Sequence, residues 1–141
     1  MKKNKTFFDQ IRLIELPKIL DERGNLSFFE ENSHIPFDIK RSYWIYDVPG
    51  GSIRGGHAFK KQKEFIVALS GSFDILLNDG KQDMKINLNR SYRGLYIPNM
   101  IWRQMDNFST NSLALIVSNT FYDPSDYIYE KKLFLNLLDG E

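Results

Sequence analysis

The 141-residue chain contains no cysteine. Disulfides, thiolate nucleophiles and cysteine-ligated zinc are thereby excluded. It also lacks an excess of charge: nineteen Lys and Arg against eighteen Asp and Glu leave +1. No extended field is available to hold a polyanion, so nucleic acid is not an expected partner. No segment approaches the roughly 20 apolar residues of a membrane span, so no membrane partner is expected. The opening Met-Lys-Lys-Asn-Lys-Thr-Phe-Phe-Asp-Gln is charged without an apolar run, unlike a signal peptide, and the cytoplasm is the expected compartment.

Aromatic residues, by contrast, are plentiful: eleven Phe, seven Tyr and two Trp. Most fit a β-rich core, where flat rings pack on pleated faces. Others would suit a cleft with stacking surfaces for a base or sugar ring. The length fits one domain, residues 1–141, with a real core. Short alternating segments recur between turns. Strands are expected over 26–30, 41–47, Glu64–Ser70, 72–77, 84–88, 94–98, 101–105 and 113–119, and strand character extends over 6–16. Glu64–Ser70 is nearly all apolar, the pattern of a strand buried on both faces. Asn78-Asp79-Gly80 suits a type I′ hairpin turn. Strands at this spacing predict an all-β antiparallel sandwich or barrel. The tail changes period. Asp123-Pro124-Ser125-Asp126 has the form of a helix start, with Asp123 as N-cap and Pro124 at the first helical position. Tyr127, Ile128, Leu133, Phe134 and Leu137 would then share the apolar stripe of one short C-terminal helix.

One spaced pattern stands out: Gly51-x5-His57-x-Phe59-x4-Glu64-x6-Gly71, followed by Pro98-x4-Arg103-x3-Asn107. It matches the two-part motif of a small metal-binding β-barrel, in which three histidines and one glutamate converge on a metal. Here Phe59 and Arg103 occupy two of the four ligand positions. A catalytic zinc site normally takes three protein ligands, so neither metal nor other cofactor is expected. His57 follows a glycine-rich approach and is expected to point into the barrel. Its ordinary pKa of about 6.5 suits acid–base work near neutrality. An arginine inside a barrel needs an anionic partner. For Arg103 that is either Glu64, in a structural ion pair, or a ligand phosphate held bidentately. Arg23, Arg41 and Arg54 fall at strand ends or turns, and with Arg103 they form a candidate anion-binding rim. His34 lies beside Pro36 in an expected loop with no partner at ligand spacing.

Several segments carry a resemblance: Asp21-Glu22-Arg23-Gly24-Asn25-Leu26, Ile39-Lys40-Arg41-Ser42-Tyr43, Arg54-Gly55-Gly56-His57-Ala58, Leu69-Ser70-Gly71-Ser72, Gly94-Leu95-Tyr96 with Trp102, and the run from Phe121 to Ile128. Together the chain resembles the cupin-type dTDP-4-keto-6-deoxyglucose 3,4-ketoisomerases. The resemblance implies a cupin jelly-roll barrel that works without metal, and a homodimer with exchanged N-terminal strands. It implies an isomerase that moves the ketone of a dTDP-linked 4-keto-6-deoxyhexose from C4 to C3, on the way to deoxyamino sugars of surface polysaccharides. His57, Tyr43 and Arg54 are then the catalytic candidates. Arg23, Arg41, Tyr46, Phe59, Glu64 and Arg103 are the substrate-binding candidates, and Tyr46 is a second candidate for the oxygen-side acid. Members of the family carry His-x-His, with the second His the favoured base, and Phe59 stands in its place. That departure keeps two alternatives open: a nucleotide-sugar-binding cupin without ketoisomerase activity, and a related sugar epimerase.

Overall fold

Alternation decides the layers. Along Glu64–Ser70, Ile66 and Ala68 turn into one buried cluster and Phe65 and Val67 into another. Successive side chains of a strand point to opposite faces, so a strand apolar on both faces must be covered twice. In the computed structural model, which describes residues 10–140, it is. The strands are β1 (Arg12–Glu15), β2 (Lys18–Ile19), β3 (Leu26–Ser27), β4 (Arg41–Ile45), β5 (Arg54–Phe59), β6 (Glu64–Ser70), β7 (Phe73–Asn78), β8 (Asp83–Leu88), β9 (Arg93–Ile97), β10 (Trp102–Asp106), β11 (Leu113–Ser118) and β12 (Tyr127–Ile128). Two five-stranded sheets face each other, in the orders β1-β9-β6-β11-β4 and β12-β5-β10-β7-β8. Their pairings are antiparallel.

Between the sheets lie Ile66, Phe73, Ile75, Leu77, Leu95, Met105 and Ile116, all fully buried. Each such side chain stabilises the fold by roughly 1.5–3 kcal/mol. The outer face of the first sheet is covered by Leu16, Ile35 and Phe37. On the outer face of the second sheet, the C-terminal helix (Lys131–Asp139) buries Phe134 against Trp102, Ala58 and Ile128.

The all-β sandwich with a short C-terminal helix is the architecture expected. Four local readings change. Residues 54–59, not among the expected strands, form β5, so the end of the glycine-rich approach to His57 is strand. The segment expected as strand 26–30 pairs only over Leu26–Ser27, against β2. The Asp79-Gly80 turn is not type I′. The last ladder pair is Asn78 with Asp83, leaving a four-residue loop. The Asp79 carboxylate caps it, accepting from the N–H groups of Lys81 and Gln82, and in that loop only Gly80 takes a positive φ, +98°. Lastly, the helix does not run on from Asp123. Asp123 does cap a turn, accepting from the Ser125 N–H, but that turn is a single 3-10 turn (Pro124–Asp126). The chain then extends into β12, with Tyr127 opposite Phe59, and the helix starts four residues later. Of the expected N-terminal strand, β1 covers Arg12–Glu15 and pairs with β9; residues 6–9 lie outside the described residues.

Candidate active site

Four strands converge on one polar cluster between the sheets. On β5 and β10, His57 and Arg103 are opposite one another, and Phe59 is two residues on, hence on the same face. From the other sheet, Arg41 on β4 and Glu64 on β6 flank Ser118 of β11 as its two cross-strand partners. Tyr43 follows Arg41 on the same face. A purely apolar sandwich would close here; this one buries an ion pair instead.

Arg103 donates through Nε to Glu64 Oε2 at 2.6 Å and through Nη2 to Glu64 Oε1 at 2.9 Å. Nη2 also donates to the Tyr43 hydroxyl at 3.0 Å. The Tyr43 hydroxyl in turn donates to Glu64 Oε1, and Gln62 Nε2 donates to that same oxygen at 2.9 Å. The remaining guanidinium nitrogen of Arg103, Nη1, faces Met105 Sδ at 3.7 Å. Gly55 makes this arrangement possible: a Cβ there would stand 2.5 Å from Arg103 Nη1, and its φ is +71°.

The electrostatics follow from burial and pairing. Burial works to lower the Arg103 pKa, but the Glu64 carboxylate and Tyr43 outweigh it, and the guanidinium is held charged. Burial likewise works to raise Glu64. The Arg103 charge and the hydrogen bonds from Arg103 and Tyr43 prevail, and the carboxyl sits below its ordinary value. Tyr43 is pushed well up, by burial first and by the Glu64 charge second, so it is a neutral phenol. His57 is lowered to about 3 by burial and by the positive charge of Arg103. This corrects the expectation of a histidine titrating near neutrality: at pH 7 it is a neutral imidazole. Its Nε2 is buried without a hydrogen-bond partner among the described residues. The ring is walled by Phe59 at 4.8 Å, Tyr127 at 5.1 Å and Tyr129 at 5.9 Å between centroids.

Six of the sequence candidates therefore meet in one cluster: Arg41, Tyr43, His57, Phe59, Glu64 and Arg103. Of the two partners open to Arg103, the geometry selects Glu64. Its forked face is spent on the carboxylate, so the candidate anion rim loses Arg103. Glu64 likewise has both oxygens occupied by protein donors, which argues against a direct substrate contact. Tyr46 and Arg54 are exposed and share a groove of about 410 Å³ along the β4–β5 loop, which none of those six residues lines. Arg23 belongs to neither; among the described residues its side chain hydrogen-bonds only to Asp21, and it is about 90% exposed. His34 is structural, its Nδ1 accepting from the Glu30 N–H at 2.9 Å. The donor set does not suit a divalent cation: His57 is a lone imidazole, and the Glu64 oxygens already accept from three side chains.

Sequence reasoning missed Gln62, Tyr127 and Tyr129. Gln62 is buried and links Arg41 to Glu64. Tyr127 fits a helical stripe by its spacing, but strand pairing with Phe59 brings it onto His57.

The chain is similar to known proteins over most of its length. A family described as FdtA: WxcM-like, C-terminal, matches residues 9–139. A TDP-4-oxo-6-deoxy-alpha-D-glucose-3,4-oxoisomerase of Aneurinibacillus thermoaerophilus is 40% identical over 117 residues, covering 83% of this chain and 84% of that one. The TDP-quinovose 3,4-ketoisomerase WlaRB of Campylobacter jejuni superimposes with a TM-score of 0.88 at 42% identity, covering 92% of this chain and 99% of that one. The sugar 3,4-ketoisomerase QdtA of Thermoanaerobacterium thermosaccharolyticum, in complex with TDP, superimposes with a TM-score of 0.90 at 34% identity, covering 93% and 96%. The two-sheet barrel is thus the cupin-type jelly roll that the sequence resemblance implies.

Proposed function

Because the chain belongs to the FdtA family (WxcM-like, C-terminal), we propose that it is a sugar-nucleotide isomerase, moving the ketone of a TDP-4-keto-6-deoxyhexose from C4 to C3. The observation that carries this is the match to a 3,4-oxoisomerase over more than four-fifths of both chains. The inter-sheet cluster supports it, since it offers a neutral imidazole with a free nitrogen.

The reaction needs one proton taken from C3 and one delivered to C4. Removing the C3 proton, with the electrons moving onto O4, gives an enediolate. The O3 proton is lost and O4 is protonated; C4 then takes a proton and the carbonyl forms at C3. His57 Nε2 is the base at C3 and the acid at C4 in this reading. A histidine held near pKa 3 is a weak base, and the negative charge of a bound diphosphate raises it by favouring the imidazolium. Tyr43, a neutral phenol, is the proton donor on the oxygen side when its O–H turns from Glu64 to the ligand. Arg54, next to Gly55 where the backbone packs against Arg103 and His57, stabilises the enediolate. Arg41 takes an anionic oxygen of the ligand, because its Nε and Nη1 are buried without partners among the described residues. Tyr46 and Phe59 line the ligand, whereas Arg23, held by Asp21 away from both cluster and groove, is given no part in this site.

The same proposal includes a cytoplasmic homodimer with exchanged N-terminal strands, acting in the synthesis of surface-polysaccharide deoxyamino sugars. Exposed Leu13, Ile19, Leu20 and Leu26 support the dimer, as apolar surface around β1 to β3. Light scattering at micromolar concentration tests it, and a monomer would count against it.

Incubation with TDP-4-keto-6-deoxyglucose in D2O, followed by NMR, tests the activity. Ketone migration to C3 with deuterium at C4 is expected. Exchange at C3 or C5 without migration would identify an epimerase-like enzyme, and tight binding without exchange a binding module.

A further inference from the structure

Gln62 lies on the turn between β5 and β6 and is only 2% exposed. Its amide can face only one way. Arg41 has donors and no acceptor, whereas the ionised Glu64 has acceptors and no donor. Gln62 Oε1 therefore accepts from Arg41 Nη2 at 2.9 Å and from Thr120 Oγ1 at 2.9 Å, while Nε2 donates to Glu64 Oε1 at 2.9 Å. The backbone beneath it is held just as firmly. The carboxylate of Asp126, 64 residues further along the chain, accepts from the Gln62 N–H at 3.0 Å and from the Lys61 N–H at 2.8 Å. The Asp126 carbonyl takes the Lys60 N–H at 3.0 Å. Three successive N–H groups of the turn thus end on one residue.

Arg41 donates to Gln62, and its guanidinium also lies near enough to the Tyr127 hydroxyl to favour the ionised form of that phenol. Its guanidinium lies 5.0 Å over the Tyr43 ring and 5.4 Å over the Tyr122 ring, and Nε and Nη1 are buried without partners. A buried charged donor without an acceptor is costly, and a ligand oxygen would relieve it.

We infer that Gln62 is a positioning residue for the proposed reaction: one face of its amide aims Arg41 at an anionic oxygen of the ligand, and the other fixes the Glu64 carboxylate that holds Tyr43 and Arg103. The inference rests on reading the inter-sheet cluster as a TDP-sugar site. It makes ligand affinity and turnover separable at one side chain, because the acceptor and the donor of the amide serve different halves of the site.

Two substitutions separate them. Gln62→Met fills the space and removes both hydrogen-bonding functions. Gln62→Glu keeps an acceptor for Arg41 and Thr120 but sets a carboxylate oxygen against Glu64. TDP affinity is measured by calorimetry, and kcat and KM by NMR on TDP-4-keto-6-deoxyglucose. In Gln62→Met, TDP affinity and kcat are each expected to fall about tenfold. In Gln62→Glu, affinity stays within about threefold of the parent while kcat falls as far as in Gln62→Met. A merely structural role would lower both quantities together, in step with the melting temperature. TDP binding by Gln62→Met at parental strength would overturn the inference, as would loss of affinity in Gln62→Glu equal to that in Gln62→Met. A parent that binds TDP without turnover would overturn the ketoisomerase reading, and the affinity comparison would then decide the role of Gln62 in aiming Arg41. A parent that neither binds nor turns over would remove both.

Discussion

Arg103 and Glu64 meet between the two sheets, Nε to Oε2 at 2.6 Å, with each side chain about 2% exposed. A charge pair this deep is weak evidence for stability in itself, since desolvating both groups offsets their attraction. Its consequence is geometric. The pair consumes the donor face of Arg103 and saturates Glu64, and it places a positive charge beside His57.

Breaking the pair from one side should be far more damaging than removing it whole. Glu64→Gln leaves the Arg103 charge buried and uncompensated, and is expected to cost about 3–5 kcal/mol in urea unfolding. The double variant Glu64→Leu with Arg103→Met should recover most of that loss. A single-variant cost below about 1 kcal/mol would mean that water reaches the pair.

The pH dependence of stability should carry the signature of His57. Its folded pKa of about 3 is below the unfolded value of about 6.5. Between those limits the unfolded chain binds the extra proton. The stabilising contribution is therefore complete above pH 6.5 and is lost progressively as pH falls toward 3, with a limiting slope of about 1.4 kcal/mol per pH unit. Glu64, also depressed, acts in the same direction below its ordinary carboxylate range. Unfolding of the parent and of His57→Asn, compared between pH 5 and 6.5, isolates the histidine. The parent should lose stability faster than the variant on acidification. Parallel curves would place His57 in contact with water.

The frame of this site was legible in the sequence because it rests on strand phase. His57 and Phe59 share a face by their spacing of two, and the motif named Glu64 as one of the two partners open to Arg103, the other being a ligand phosphate. The double burial of Glu64–Ser70 was equally plain from its composition. The rest depends on contacts that no local pattern encodes. The Asp126 carboxylate is taken by N–H groups 64 and 65 positions away. That capture turns an apparent helix start into a single turn followed by strand, and Tyr127 moves from a helical stripe to the wall of His57. Gln62 sits in the lysine-rich run Lys60-Lys61-Gln62-Lys63 with no local signal, and only the fold shows its amide between Arg41 and Glu64. The depressed pKa of His57 likewise depends on burial and on Arg103 across the ladder.

Metal affinity should be absent for a reason rooted in the donor set. Purified protein incubated with zinc or manganese and then desalted is expected to retain far less than one equivalent by elemental analysis, because binding would have to strip Arg103, Tyr43 and Gln62 from Glu64. Stoichiometric metal coordinated through His57 would show that the ion pair yields to a cation, and the assignment of Arg103 would have to change.

Phe59 gives the sharpest test of the catalytic assignment. Its ring stands 4.8 Å from His57 and 4.6 Å from Tyr127, inward-facing and without any group able to move a proton. With Phe59 in place, His57 is the histidine of this cluster, and His57→Asn is expected to abolish turnover while TDP binding survives. Phe59→His adds a second imidazole on the same strand face, at the position where the chain departs from the family motif. Turnover is expected to rise, read as kcat from NMR initial rates. The pair combined, His57→Asn with Phe59→His, shows which imidazole carries the proton. Recovered turnover would mean that position 59 can serve as the base, whereas a dead double variant alongside a faster single variant would mean that the second ring only assists His57. Full activity in His57→Asn alone would remove His57 from the mechanism and turn attention to Tyr127.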